Sequence, residues 1–154
     1  MNNTVYRIVK TKWISSAFDG EGARKYPGRW NSRGTSMIYT ASSEALATLE
    51  ILVHYESEQL IRDHFVIVPL VIPSTCILQL GDDLPDDWDA QPAPISTRTI
   101  GDNWIKDNAS AALAVPSVVV PREKNYLINP NHADFKNISI LDPQPLNLDS
   151  RLTN

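Results

Sequence analysis

The apolar runs of this chain are short, rich in β-branched residues, and repeatedly interrupted by proline. "HFVIVPLVI" (His64 to Ile72) holds Pro69 inside it, and "LAVPSVVVP" holds Pro116 and Pro121. Proline has no N–H to give a ladder, so it is confined to strand edges, first positions and bulges. Pro69 therefore predicts an edge or bulged strand. Eleven prolines in 154 residues, together with several bulge positions, predict a bent or split sheet and not a flat one.

Around those runs the chain reads as strands with two main helices. "TVYRIV" (Thr4 to Val9), "TSMIYT", "HFVIVPLVI", "TCILQL", "LAVPSVVVP", "NYLIN" and "NISILDP" are the strand candidates, the turn-like "REK" separating the fifth from the sixth. "STRTIGDNWIKDN" predicts a helix with Ile100, Trp104 and Ile105 on one side. Between the first two strands lies "SAFDGEGARKYPGRWNSRG", with four glycines and four basic residues. A structureless loop of that length is uncommon in a compact domain and points to function or disorder. No repeat or linker divides the chain, so the expectation is one α+β domain over residues 1–154, with six or seven strands.

Composition narrows the function classes. Hydrophobic residues make up 42% and charged residues 21%, an ordinary globular balance. The net charge of −4 and the acidic loop "GDDLPDDWD" argue against direct nucleic-acid binding, which needs a basic face. That loop reads most simply as a solvated connector. A single cysteine, Cys76, excludes an intrachain disulfide and reads as a small core residue. The start "MNNTVYRIVK" lacks a signal-peptide core and no segment has the length of a membrane span, so the cytoplasm is the expected compartment.

One helix carries a misplaced acid. In "SSEALATLEILVHYE" (Ser42 to Glu56) the spacing of Leu46, Leu49 and Val53 predicts a core-facing stripe. Ser42 or Ser43 caps it, and Glu44 suits the positive end of its dipole. Glu50, i+4 from Leu46, falls on the same stripe. A carboxylate is almost never fully buried without a partner, because desolvation is costly. Arg7 poses the same question with opposite sign, since strand alternation aligns it with Val5 and Val9. A buried Arg7–Glu50 pair would be a poor stabiliser. A polar cleft that receives an anionic, phosphate-bearing ligand explains both residues better.

Other chemistries find less support. His54 lies i+4 from Glu50, but His64 and His132 have no ligand partners at metal spacing, so no metal site is expected. Ser117 in "VPSVVVP" lacks a glycine-flanked nucleophile elbow and reads as a strand serine bonded to backbone. No GxGxxG or P-loop pattern occurs. "YPGRWNSRG" nevertheless combines features that grip nucleotides. Arg29 and Arg33 fork onto phosphates, Trp30 offers a stacking plane, and Gly28 and Gly34 let the backbone approach. A basic loop with a half-buried tryptophan is the plainer alternative.

Arg7 on the first strand, "GRWN" (Gly28 to Asn31), "IYTASSEALATLE" (Ile38 to Glu50) and "VPSVVVPREKNYLINP" together resemble the RES-domain family. The likeness runs from about Val5 to Asp142, and the tail 143–154 carries no motif. The resemblance implies an ADP-ribosyltransferase-like fold, a split curved sheet with helices around an NAD cleft. It implies a toxin of a toxin–antitoxin pair that depletes NAD by hydrolysis or phosphorolysis of the nicotinamide–ribose bond, NAD being a consumed substrate and not a cofactor. Some relatives transfer ADP-ribose to a protein instead. Carried over by position, Glu50 is the catalytic acid and Ser117 the serine of the family name, expected to orient ribose or Glu50. Tyr39 stacks at the nicotinamide end. Arg7 and Arg29 bind the NAD phosphate side, either of them supplying the family's first letter, and Trp30 and Asn31 are further binding candidates. The resemblance also implies a helix-turn-helix antitoxin that blocks the cleft within a hetero-oligomer. A non-enzymatic nucleotide- or partner-binding module is the remaining alternative.

Overall fold

The computed structural model describes residues 1–56, 60 and 63–153. Nine residues, Asn2–Lys10, form β1, whose alternation sends Val5 and Val9 into the core. A 3-10 turn at Thr11–Ser16 and a short helix α1, Glu21–Lys25, follow. The long segment expected to be without structure therefore contains local helix. Its entry is Gly20, whose φ of 77° suits a residue lacking Cβ. A Cβ there would also press within 2.9 Å of Pro130.

Strand β2, Ile38–Ala41, leads directly into α2, Glu44–His54, and Ser43 Oγ accepts the Leu46 N–H at 3.0 Å as N-cap. Strand β3 is Phe65–Pro73. After a 3-10 turn come β4, Ile77–Gln79, the helix α3, Ile95–Asp107, and the hairpin of β5, Ala112–Pro116, with β6, Lys124–Ile128. Two short strands end the chain, β7 at Ser139–Ile140 and β8 at Gln144–Pro145. The tail that carries no motif thus supplies a strand.

The sheet runs β4-β5-β6-β2-β1-β3-β7, with β8 also beside β3. Among the described residues all pairings are antiparallel except β4 with β5. Its two halves differ in how they are joined. β1 and β3 pair over nine positions, whereas β1 and β2 share the single register pair Tyr6↔Ala41. A ladder that thin lets the sheet bend at its middle, giving the expected α+β domain with a split, curved sheet.

Pro69 is not on an edge strand. It pairs with Tyr6 on one side, and on the other side β8 stops at Ile67 and β7 starts at Leu70. Its carbonyl accepts the Leu141 N–H at 2.9 Å, so its nitrogen faces that outer side too, where the ladder is interrupted. The missing N–H falls in a gap.

Two apolar layers clothe the sheet. On one face Val5, Ile38, Leu70, Ile72, Cys76, Ala112, Ile128 and Ile138 form the larger core. On the other, Trp30, Met37, Trp104, Leu113, Val115 and Leu127 form a second core under α3, while Ala41, Leu46 and Ala47 pack with Tyr6 and Ile8 under α2. The stripe expected on α2 is rotated from its true position. Leu49 is 42% and Val53 65% exposed, and the helix buries Leu46, Ala47 and Ile51 instead. Alanine, small enough to lie close to the sheet, takes the place that leucine was expected to fill. Glu50 stays on the inner side after this correction, because it is i+4 from Leu46 and i+3 from Ala47.

Candidate active site

Glu50 leaves the second turn of α2 towards the ends of β5 and β6. Ser117 Oγ donates to its Oε1 at 2.9 Å, and Asn125 Nδ2 donates to Oε1 at 2.8 Å and to Oε2 at 3.1 Å. Two donors from two elements thus fix a partly buried carboxylate. Burial pushes its proton affinity up, and the Asn125 bond, the Ser117 bond and the charge of His54 each oppose that rise. A carboxylate has about four acceptor directions. Oε1 already accepts from two donors and Oε2 from one shared hydrogen, so Oε2 is the oxygen with capacity for a ligand.

Ser117 does not lie in a strand. β5 ends at Pro116, and Ser117 opens the turn that leads to β6. Its side chain is fully buried, and its Oγ accepts the N–H groups of Val119 at 3.1 Å and Val120 at 3.2 Å. With both acceptor directions filled, its one proton goes to Glu50. Ser117 is therefore locked as a donor.

Sequence reading missed Asn125. The register pairs Ala41 with Asn125 and Tyr39 with Leu127, so directly opposite side chains share a face, and Asn125 lies on the face that α2 covers. Its amide also donates to the Thr40 carbonyl at 3.2 Å. The signal was present in "NYLIN": Asn125 alternates with the buried Leu127, making it an inward amide in an apolar position.

Tyr39 shares that face, but its hydroxyl is enclosed. It donates to Asn31 Oδ1 at 2.6 Å and accepts the Trp30 N–H at 3.0 Å. Burial raises the phenol's proton affinity well above the usual, with the Trp30 bond opposing, the charge of Asp102 adding and that of Arg29 opposing. Gly28 is glycine for contact reasons, since a Cβ would come within 2.7 Å of the Tyr39 ring. Asn31 is fully buried. It accepts the Gly28 N–H at 2.9 Å, and its Nδ2 donates to Ala23 O at 2.7 Å and Thr35 O at 3.1 Å. Its polar atoms hold the loop. Trp30 offers no open ring for stacking either: 2% exposed, it belongs to the core under α3.

The arginines separate. Arg29 is partly exposed and near enough to Tyr39 for its charge to act on the phenol. Its NH1 donates to Trp88 O at 3.0 Å and Ala90 O at 2.7 Å. Burial lowers its proton affinity, and the charge of Asp89 opposes that fall. Arg33 is exposed. Arg7 aligns with Val5 and Val9, on the face away from α2, while Tyr6 and Ile8 face α2. Its Nε donates to Ala17 O at 3.0 Å and its NH1 to Tyr39 O at 2.9 Å, and burial pushes its guanidinium down to about 10, opposed by Tyr55 and Asp19. Among the described residues no ion pair joins Arg7 or Arg29 to Glu50. Arg7 and Glu50, expected to face one polar cleft, lie on opposite faces of the sheet. Arg7 joins β1, β2 and the segment at Ala17.

Among the described residues no group of three His, Cys, Asp or Glu side chains could hold a metal ion. No described helix is long and apolar enough to cross a membrane.

Fold and site together define a class, an α+β domain with a split sheet and a carboxylate fixed over one of its faces. The chain belongs to the RES domain family, whose model matches residues 4–149. It is 38% identical over 149 residues to "Toxin Res" of Yersinia enterocolitica, covering 96% of this chain and 98% of that protein. It is 38% identical over 143 residues to "Prs ADP-ribosylating toxin" of Sphingobium sp., covering 90% and 89%. In fold it is similar to a chain of the M. tuberculosis MbcT-MbcA toxin-antitoxin complex, with a TM-score of 0.78 and 16% identity over 95% of this chain and 85% of that one.

Proposed function

We propose that this chain is the toxin of a toxin–antitoxin pair and cleaves NAD at the nicotinamide–ribose bond. The observation that carries the reading is the Glu50 carboxylate, partly buried, fixed by Ser117 and Asn125, with Oε2 still able to accept. Relatives at 38% identity named as toxins, one of them ADP-ribosylating, support it.

When the C1′–N bond breaks, nicotinamide leaves as a neutral molecule with the bonding electron pair, and positive charge develops on the ribose ring. A fixed carboxylate stabilises that charge, and a hydrogen bond from a ribose hydroxyl to Oε2 strengthens as it develops. Water then adds at C1′ and loses a proton, giving ADP-ribose. Inorganic phosphate in its place gives the 1-phosphate of ADP-ribose. Ser117 and Asn125 keep the carboxylate from turning away, which is electrostatic preorganisation. Arg29 grips the diphosphate, so binding energy far from the reacting bond positions it. Tyr39 orders the 28–31 loop and lends its ring to the nicotinamide end. NAD is consumed, and no separate cofactor is invoked.

Incubating the purified chain with NAD and following free nicotinamide tests the reading, and a folded chain that releases none overturns it. Products formed with and without phosphate tell hydrolysis from phosphorolysis. The second reading, transfer of ADP-ribose to a protein, is favoured by the Sphingobium relative's name. Labelled NAD separates it, because transfer leaves label on a macromolecule. A non-enzymatic module would keep its biological effect after Glu50→Gln. The partner we propose is a helix-turn-helix antitoxin that covers the cleft in a hetero-oligomer, leaving DNA contact to itself, with the cytoplasm as the site of action. Co-purification with the product of an adjacent gene tests this.

A further inference from the structure

Arg29 is held at both its backbone and its guanidinium. Thr97 Oγ1, fully buried in the first turn of α3, donates to the Arg29 carbonyl at 2.8 Å. The neighbouring Ser96 Oγ donates to Asp87 Oδ1 at 2.5 Å, fastening the turn that presents Trp88 O and Ala90 O to Arg29 NH1. That turn closes on itself through Ala90 N–H to Asp87 O at 3.0 Å, and the Trp88 side chain packs against the core containing Trp30. The result is a ring of bonds from the arginine's main chain through α3 and the acidic loop back to its side chain.

A guanidinium carries five N–H donors in a rigid fork. NH1 is taken up by the two carbonyls, whereas Nε and NH2 have no partner among the described residues. The Nε–NH2 edge is the pair that matches two oxygens of one phosphate side by side. Holding the other edge with neutral carbonyls fixes the guanidinium without neutralising it, and no carboxylate lies within ion-pair distance of it among the described residues.

We infer that the 87–90 turn, latched to α3 by Ser96, is a positioning device that presents the Nε–NH2 edge of Arg29 to the diphosphate of a dinucleotide. The loop that reads as a solvated acidic connector is thus part of the binding machinery, acting through its backbone carbonyls, with the Asp87 carboxylate serving the latch and the Asp89 charge acting on the guanidinium from beyond ion-pair distance. The identity of the dinucleotide as NAD rests on the function proposed above. The arrangement lowers the ordering cost of binding, because a long flexible side chain is fixed before the ligand arrives.

The test is NAD affinity by titration calorimetry in the full chain carrying Glu50→Gln, which slows turnover by roughly 10²–10³-fold and leaves Arg29 untouched. Ser96→Ala, which removes one solvent-screened hydrogen bond to the Asp87 carboxylate, is expected to weaken NAD about fivefold. Arg29→Ala, which removes a charged bidentate contact, is expected to weaken it roughly ten- to a hundredfold. The double variant should bind like Arg29→Ala alone, because Ser96 acts only through Arg29. Asp87→Ala breaks the latch from its other end and should match Ser96→Ala, with thermal unfolding confirming that both variants fold. Unchanged affinity in both latch variants overturns the inference, and so do losses that multiply in the double variant. Nicotinamide release by the chain with Glu50 intact is read separately. Coupled binding without release overturns the proposed activity and leaves the positioning device standing. Release with uncoupled binding does the reverse.

Discussion

Removing Asn125 should move the acid limb of the reaction to higher pH. Asn125→Ala deletes the donor at 2.8 and 3.1 Å from the two Glu50 oxygens and, among the described residues, leaves Ser117 alone as a donor to the carboxylate. A hydrogen bond to a charged group is worth about 1.5–3 kcal/mol. Glu50 keeps part of its surface in water, so solvent screening takes the lower end, about 1–2 kcal/mol, or roughly 5- to 30-fold in proton affinity. The sign follows from which form the amide favours. It donates only to the carboxylate, so its loss favours the protonated acid, adding to the rise that burial already imposes. The assay is nicotinamide release from NAD as a function of pH. The charged groups to control for are His54 on α2 and, exposed on the β5–β6 hairpin, Arg122, Glu123 and Lys124. His54→Gln provides that control. The variant should approach wild-type activity at alkaline pH and fall away earlier on acidification. An acid limb that stays in place while activity drops uniformly would refute the reasoning, since it would mean that Asn125 merely supports the fold. Asn125→Asp sharpens the test: two carboxylates at that separation cannot both ionise, so activity should be low across the neutral range.

Glu50→Gln should abolish most nicotinamide release, by roughly 10²–10³-fold for the loss of a transition-state electrostatic contact. It should also stabilise the fold near neutral pH. Burial raises the folded-state proton affinity of Glu50 above its ordinary 4.5, so its favourable contribution is present below that value and lost as pH rises through the raised one. Thermal unfolding of the two proteins should therefore converge in acid and diverge at neutral pH, with the glutamine variant higher. Tyr39→Phe leaves the Trp30 N–H without its partner and should cost about 1–3 kcal/mol in denaturant unfolding. Activity lost without any loss of stability would show the hydroxyl in the chemistry instead. Gly101→Ala drives a methyl group into the Trp30 carbonyl, so the chain should fold poorly or lose at least about 1–3 kcal/mol.

Local periodicity and turn chemistry made the strands, the α2 cap and the inward acid legible, because each depends on a few neighbouring residues. What it could not supply is the pairing of distant strands. Arg7 shows why. Alternation correctly aligned it with Val5 and Val9, yet which face of β1 meets α2 is decided by the single pair Tyr6↔Ala41, thirty-five positions apart in sequence. The same missing register hid Asn125, whose partner Ala41 sets it under α2. The rotated stripe of α2 has another cause: ranking by side-chain size favoured Leu49 and Val53, whereas close approach of a short helix to a sheet favours Ala47. Glu50 survived that error because it neighbours both the assumed stripe and the real one. Its position is consequently the most robust element of the site, and the two donors that fix it come from the hairpin whose pairing no local pattern specifies. A helix brings the charge and a distant hairpin brings the hydrogen bonds that hold it as a carboxylate, so the folded sheet assembles a poised acid that neither segment could form alone.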